Sequence, residues 1–161
     1  MVKIFTMSEV KFEIMKDYCL GQYEKSMPDN LEWCDKLKLS KEFVFDYLEI
    51  SVDETDEKFK RLDWDLERKI KLIKAMFKND QFIRTMCLSG HRMFPLGHYD
   101  EIVQNKSLEI MVKAISLASD FGIRIIQLAG YDIYYEKGNE ITRKIFQKKL
   151  EKCVDMASKK E

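Results

Sequence analysis

The sequence predicts an α/β fold of parallel strands, and three observations lead there. Four times a short apolar run is followed by an amphipathic helical stretch, the pattern of strands joined by helical crossovers. The four units fill residues 17–161, so each takes roughly the 30 residues or more of a βα unit. No linker rich in Pro, Gly or Ser breaks the series, and the whole chain has only six Gly and two Pro.

The first run is Tyr18-Cys19-Leu20-Gly21-Gln22-Tyr23. After Pro28-Asp29-Asn30 the spacing predicts a helix with Leu31, Cys34 and Leu37 on one side and Asp29 or Asn30 as N-cap. The second run, Phe43 to Ser51, is rich in Phe, Tyr, Val and Ile. Its helix is expected to begin near Asp63 or Asp65 and to carry Leu66, Ile70, Ile73 and Phe77 on one stripe. The third run spans Phe82 to Ser89, and its helix holds Val103, Ser107, Ile110, Met111, Ala114, Ala118 and Phe121 at helical spacing. Gly122 follows as a left-handed C-cap. The fourth run, Ile123 to Leu128, precedes a helix using Ile141, Ile145, Leu150, Val154 and Ala157. Residues 1–16 read as an N-terminal extension.

Parallel units close into a barrel or lie in an open doubly wound sheet. A doubly wound nucleotide binder carries a Gly-rich turn after its first strand. Here Gly21 stands alone before Gln22-Tyr23-Glu24-Lys25. A complete (β/α)8 barrel takes about 250 residues. Four units make half of one, and residues 17–161 are read as the N-terminal half of such a barrel.

Composition narrows the function classes. Twenty-eight basic residues balance 28 acidic ones, so no general positive field draws nucleic acid, although a local anion site is compatible with the balance. No stretch reaches the roughly 20 apolar residues of a membrane span, and residues 1–16 show no signal-peptide core. The four cysteines are scattered, with no C-x-x-C pair, and read as reduced thiols of a cytoplasmic protein.

The loops after the strands concentrate the polar chemistry, at the rim where parallel α/β folds bind ligands. They include Tyr23-Glu24-Lys25, Ser51 to Glu57, Ser89 to His98 and Ala129 to Tyr135. Glu49 and Ser51 share one face of their strand. A carboxylate there needs a partner, either an internal ion pair with Arg84 or a substrate. His91 is a candidate substrate contact and His98 a rim residue. Arg92, beside Gly90 and His91, suits a phosphate or a sugar hydroxyl. The charge run accounts for Asp56 and Glu57 as solvated residues, and for Asp53 less well.

Long strings then carry a specific resemblance: Leu20-Gly21-x-Tyr23-Glu24-Lys25, Glu49 to Glu57, Arg61-Leu62-Asp63-Trp64, Met86-Cys87-Leu88-Ser89, His91-Arg92, Phe94-Pro95-Leu96-Gly97 and Ile126 to Asp132. Over about residues 20–158 the chain resembles the L-ribulose-5-phosphate / L-xylulose-5-phosphate 3-epimerases of the xylose-isomerase-like barrels, also called hexulose-6-phosphate isomerases. The resemblance implies a phosphorylated ketopentose as substrate and proton transfer at C3 through an enediolate. It implies a divalent metal, Zn or Mn, for the full-length family, held by two Glu, an Asp and a His on strands five to eight. It implies substrate contacts at Tyr23, Glu49, Ser51, Asp53, Cys87, Ser89, His91, Arg92, Tyr131 and Asp132.

None of the metal ligands or proton-transfer carboxylates has a counterpart in these 161 residues, so neither metal nor turnover is expected of the chain alone. Three positions depart from the pattern: Val44 and the Asp80-Gln81 turn lack a usual Gly, and Met93 replaces an Arg. Exposed parallel edges call for association, with a second copy or a complementing C-terminal half. The competing readings are a non-catalytic sugar-phosphate-binding module and a degenerate gene product.

Overall fold

A computed structural model describes residues 18–159, and the expected N-terminal extension lies outside them. Strands β1 (Gly21–Tyr23), β2 (Tyr47–Val52), β3 (Ile83–Leu88) and β4 (Ile125–Gln127) form one sheet in the order β1-β2-β3-β4, and every neighbouring pair is parallel. The chain between strands forms α1 (Trp33–Glu42), then α2 (Asp56–Phe59) and α3 (Leu66–Asn79), then α4 (Glu101–Phe121). Helix α5 (Glu140–Ser158) follows β4. A sequential order has no reversal point, and right-handed crossovers then put every helix on the same face. That is the winding of a barrel wall, not of a doubly wound sheet.

Burial shows the two faces. Leu48, Ile50, Val52, Met86 and Leu88 are wholly buried, and they form one core cluster with Leu37, Leu72, Met76, Ile110 and Leu117 of the helices. The other face carries Tyr23 level with Glu49, Glu49 with Thr85, Ser51 with Cys87, and Cys87 with Gln127. Apolar side chains hold the sheet to its helices and polar ones line the concave face. Among the described residues no helix is long and apolar enough to cross a membrane.

Several elements differ from the sequence reading. Helix α1 starts at Trp33 after Glu32, whose side chain makes no cap bond. Asp29, expected as the cap, accepts instead from Lys58 of α2 at 2.8 Å. Of Leu31, Cys34 and Leu37, only Leu37 is fully buried, and Leu31 precedes the helix. Phe43 and Val44 are exposed in the turn after α1, so strand β2 begins later than the apolar run does. Val44 has φ +62° and Asp80 φ +48°. These are the two turns where the resemblance expects Gly, and a β-branched residue there carries strain of about 1–3 kcal/mol.

Helix α3 has Asp65 as N-cap, accepting from the Arg68 N–H at 2.8 Å. Its buried residues are Leu72 and Met76, while Leu66, Ile70 and Phe77 of the expected stripe are exposed. The buried residues of α5 also differ from the expected set: Thr142 and Cys153 are buried, whereas Ile141 and Val154 lie open. In α3 the buried Leu72 and Met76 each sit one residue before Ile73 and Phe77 of the expected stripe, although Ile73 also packs on the core. Helix α4 and its Gly122 cap, at φ +68°, follow the sequence reading.

Candidate substrate-binding wall

The strands bring four of the predicted contacts together on the concave face. The Tyr23 hydroxyl donates to Ser51 Oγ at 3.0 Å. Burial pushes the Tyr23 phenol up to about 12; Cys87, close enough to bond with it, adds to the rise, and the Ser51 contact opposes it. Tyr23 is therefore a neutral hydrogen-bonding hydroxyl at physiological pH. Glu49 accepts from the Thr85 hydroxyl at 2.8 Å, which corrects the expected pairing with Arg84. A register irregularity between Leu48 and Glu49 sets Thr85, not Arg84, opposite the carboxylate, and Arg84 is exposed.

Behind this wall lies a buried charge cluster that the sequence reading did not identify. Glu24, at 0% exposure, directly follows β1. Its carboxylate accepts from the Ser51 backbone N–H at 2.5 Å and pairs with Arg61. Lys36 Nζ lies 3.5 Å from its other oxygen. Arg61 also donates to the Ser51 carbonyl at 2.8 Å and sits over the rings of Trp33 and Trp64, at 5.1 and 5.8 Å from their centroids. Ser51 is thus fixed through both of its backbone polar groups. Glu24, Ser51 and Arg61 stood in the strings quoted for the resemblance, but nothing in their spacing pairs positions 37 apart.

Loop residues close the rim. Asp53 is buried and accepts from the Thr55 N–H at 2.9 Å and the Thr55 hydroxyl at 2.6 Å, while pairing with Lys25. Burial alone would raise its carboxyl; Lys25 and Thr55 outweigh this and hold it below the ordinary range. Arg92 Nε donates to the Tyr131 hydroxyl at 3.1 Å, its guanidinium lies 4.9 Å from the Tyr134 ring centroid, and Nη1 is 4.0 Å from Glu54. Tyr135 donates to Glu54 at 2.7 Å. Arg92, Tyr131 and their neighbours thereby join the loops after β2, β3 and β4. Gly97 seals the last two loops, since a Cβ there would meet the Asp132 and Thr142 carbonyl oxygens at 2.7 Å.

The remaining candidates lie in the turns and helix entries around the rim. Ser89 is buried at the start of a 3-10 turn, Ser89–Arg92. His91, in the same turn, donates from Nε2 to the Ser107 carbonyl of α4 at 3.1 Å. Asp132 accepts from Thr142 of α5, which holds its carboxyl below the ordinary range. His98 accepts from the Asp100 N–H at 3.0 Å at the entry to α4.

Burial pushes the His91 imidazole below its usual value, against the opposing effect of the Ser107 bond. The unfolded chain takes up this proton near pH 6.5, the folded chain only at lower pH, so in between the unfolded state binds more protons. Stability should therefore fall as pH drops from about 6.5 through the folded-state value, and His91→Gln should remove that slope. Urea unfolding between roughly pH 7 and 5 checks this; matching slopes in both proteins would contradict it.

The residues present do not fit the divalent cation that the resemblance implies. Among the described residues no three His, Cys, Asp or Glu side chains converge on a common point. Glu49 is the one acidic residue in the four strands, and its strand neighbours are Tyr23 and Thr85. A zinc site takes at least three Cys, His, Asp or Glu ligands, and the concave face offers no such set among the described residues.

Comparison with known proteins agrees with this geometry. Residues 37–161 match the xylose isomerase-like TIM barrel family. Over 146 residues the chain is 49% identical to the L-ribulose-5-phosphate 3-epimerase UlaE of Salmonella heidelberg (strain SL476), covering 91% of this chain and 51% of that protein. The chain therefore spans about half the length of the curated relatives it matches. A crystal structure of D-psicose 3-epimerase, determined in the presence of D-fructose, superposes with TM-score 0.73 at 11% identity over 89% of this chain and 50% of its own. A structure of L-ribulose 3-epimerase gives 0.65 at 18% identity over 88% and 46%. With four sequential parallel strands, helices on one face and a matching profile, the chain belongs to the xylose isomerase-like TIM barrel family.

Proposed function

We propose that these residues form the N-terminal wall and rim of a sugar-phosphate 3-epimerase that interconverts L-ribulose 5-phosphate and L-xylulose 5-phosphate, in the cytoplasm. The observation that carries the reading is the 49% identity to a protein of that activity, concentrated on a chain whose concave face is polar. In this reading Tyr23, Ser51, Glu49 and Thr85 hold the hydroxyls of the open-chain sugar. Arg92, kept in place by Tyr131 and Tyr134, receives the phosphate. The cation and the groups that remove and return the C3 proton belong to the second half-barrel. This wall binds and orients the sugar and keeps it in register for them.

That half is supplied by further residues of the same polypeptide, by a separate chain or by a second copy. The surface it would cover is in place. A groove of about 600 Å³ beside β4 is lined by Met111, Ile115, Ile126, Leu128, Cys153 and Val154, and Ile125 is exposed on β4 itself. A next βα unit would cover the exposed Ile125 and Val154.

Arg92→Ala tests the assignment within a completed barrel. KM for L-ribulose 5-phosphate should rise about 10- to 100-fold, with kcat changed far less, because a phosphate remote from C3 contributes uniform binding. An unchanged KM would remove Arg92 from the site.

A further inference from the structure

A second cleft lies on the outer, helical side of the wall, away from the concave face. It encloses about 1020 Å³ between α1, α2 and α3. Trp33, Trp64 and Leu72 line it, with Arg61 between the two indoles. One wall is a row along α3, Arg68, Lys71, Lys74 and Lys78, which spans about 15 Å at 1.5 Å per residue. Glu32 lies 3.7 Å from Lys71, and Asp56 lies 3.7 Å from Lys60, one turn along α2. Glu57 also faces the cleft. Arg68, Lys74 and Lys78 have no carboxylate partner among the described residues. Local positive charge therefore survives in a chain of zero net charge.

We propose that this cleft binds a nucleoside polyphosphate, with its ring system against the indole-lined floor and its phosphates along the α3 row. The volume suits a ligand of that size. An aromatic floor beside a basic row combines an apolar body with an anionic tail in one ligand, and flexible lysines serve phosphates as point charges. The site is separate from the sugar wall and does not depend on the epimerase reading.

The chain's two tryptophans both line this cleft, so indole fluorescence reports on it directly. Titration of the 161-residue protein with ATP should give a saturable fluorescence change that weakens with added salt. Lys71→Glu with Lys74→Glu should weaken binding about tenfold or more, since both charges are reversed beside the phosphates. Lys148→Glu, on exposed α5, should leave it unchanged. Tripolyphosphate should compete with ATP but bind more weakly. The proposal is overturned if neither fluorescence nor equilibrium dialysis detects ATP binding. It is also overturned if the double variant binds as tightly as the parent, or if tripolyphosphate binds as tightly as ATP. Circular dichroism shows whether the double variant is folded. If it is not, the single variant Lys78→Glu, at the far end of the row, takes its place, and binding equal to the parent's overturns the proposal.

Discussion

Replacing Glu24 by Ala should cost about 3–5 kcal/mol of stability, the range found when one partner of a buried ion pair is removed. Glu24 has 0% exposure, Lys36 3% and Arg61 4%. Its carboxylate is the counter-charge that the structure sets against both cations. Without it, two positive groups stay buried, and the Ser51 N–H loses its acceptor. Single domains have only about 5–15 kcal/mol in total, so the variant should lose a large share of its stability. Glu24→Gln should be milder, since the amide oxygen can still accept from Ser51 and Arg61. Urea unfolding followed by circular dichroism gives the comparison. A loss below about 1 kcal/mol, the scale of a surface pair, would show that the cluster does not hold β1 and β2 to the outer helices.

The fold was largely legible because the strands fall in short apolar-rich runs and the longer helices repeat at about 3.6 residues. The sequential, all-parallel order followed from the missing Gly-rich turn and the size of the units. Helix orientation was less legible. In α3, Leu72 and Met76 compete with Leu66, Ile70, Ile73 and Phe77 for the core-facing side, and periodicity alone does not choose between stripes one residue apart. The sheet chooses, through the volume beneath each helix. In α5 the buried Thr142 is anchored by Asp132 and caps with Asn139, and that anchoring outweighs the apolar pull of Ile141.

The site was legible in part. Alternation within β2 put Glu49 and Ser51 on one face, and the structure places them beside Tyr23, Thr85 and Cys87. The partner of Glu49 was not legible, because a one-residue irregularity at Leu48/Glu49 shifts the register. Glu24, Arg61 and Lys36 were missed for a different reason: their pairing depends on how two loops and a helix pack, over separations of 37 and 12 residues. His91 looked like a ligand contact from its loop, but its ring is bonded to the α4 backbone.

The second large effect concerns turnover. Alone, the 161 residues should not epimerise L-ribulose 5-phosphate at a detectable rate. The wall offers hydroxyls, one thiol and one carboxylate, and proton transfer on both faces of C3 needs two positioned acid–base groups. General acid–base groups each contribute about 10²–10⁴-fold, so lacking the pair removes several orders of magnitude. Supplying the other half should restore the reaction, because a parallel edge and an apolar groove are both open at β4. Association should also bury apolar surface worth roughly 25 cal/mol per Å².

The most direct measurement co-expresses these residues with the unmatched second half of the UlaE epimerase and assays the purified mixture for conversion of L-ribulose 5-phosphate to L-xylulose 5-phosphate. The predicted result is a stable one-to-one complex that turns over, with neither part active by itself. Robust turnover by the 161 residues alone, or a folded one-to-one complex that binds no sugar phosphate, would contradict the account.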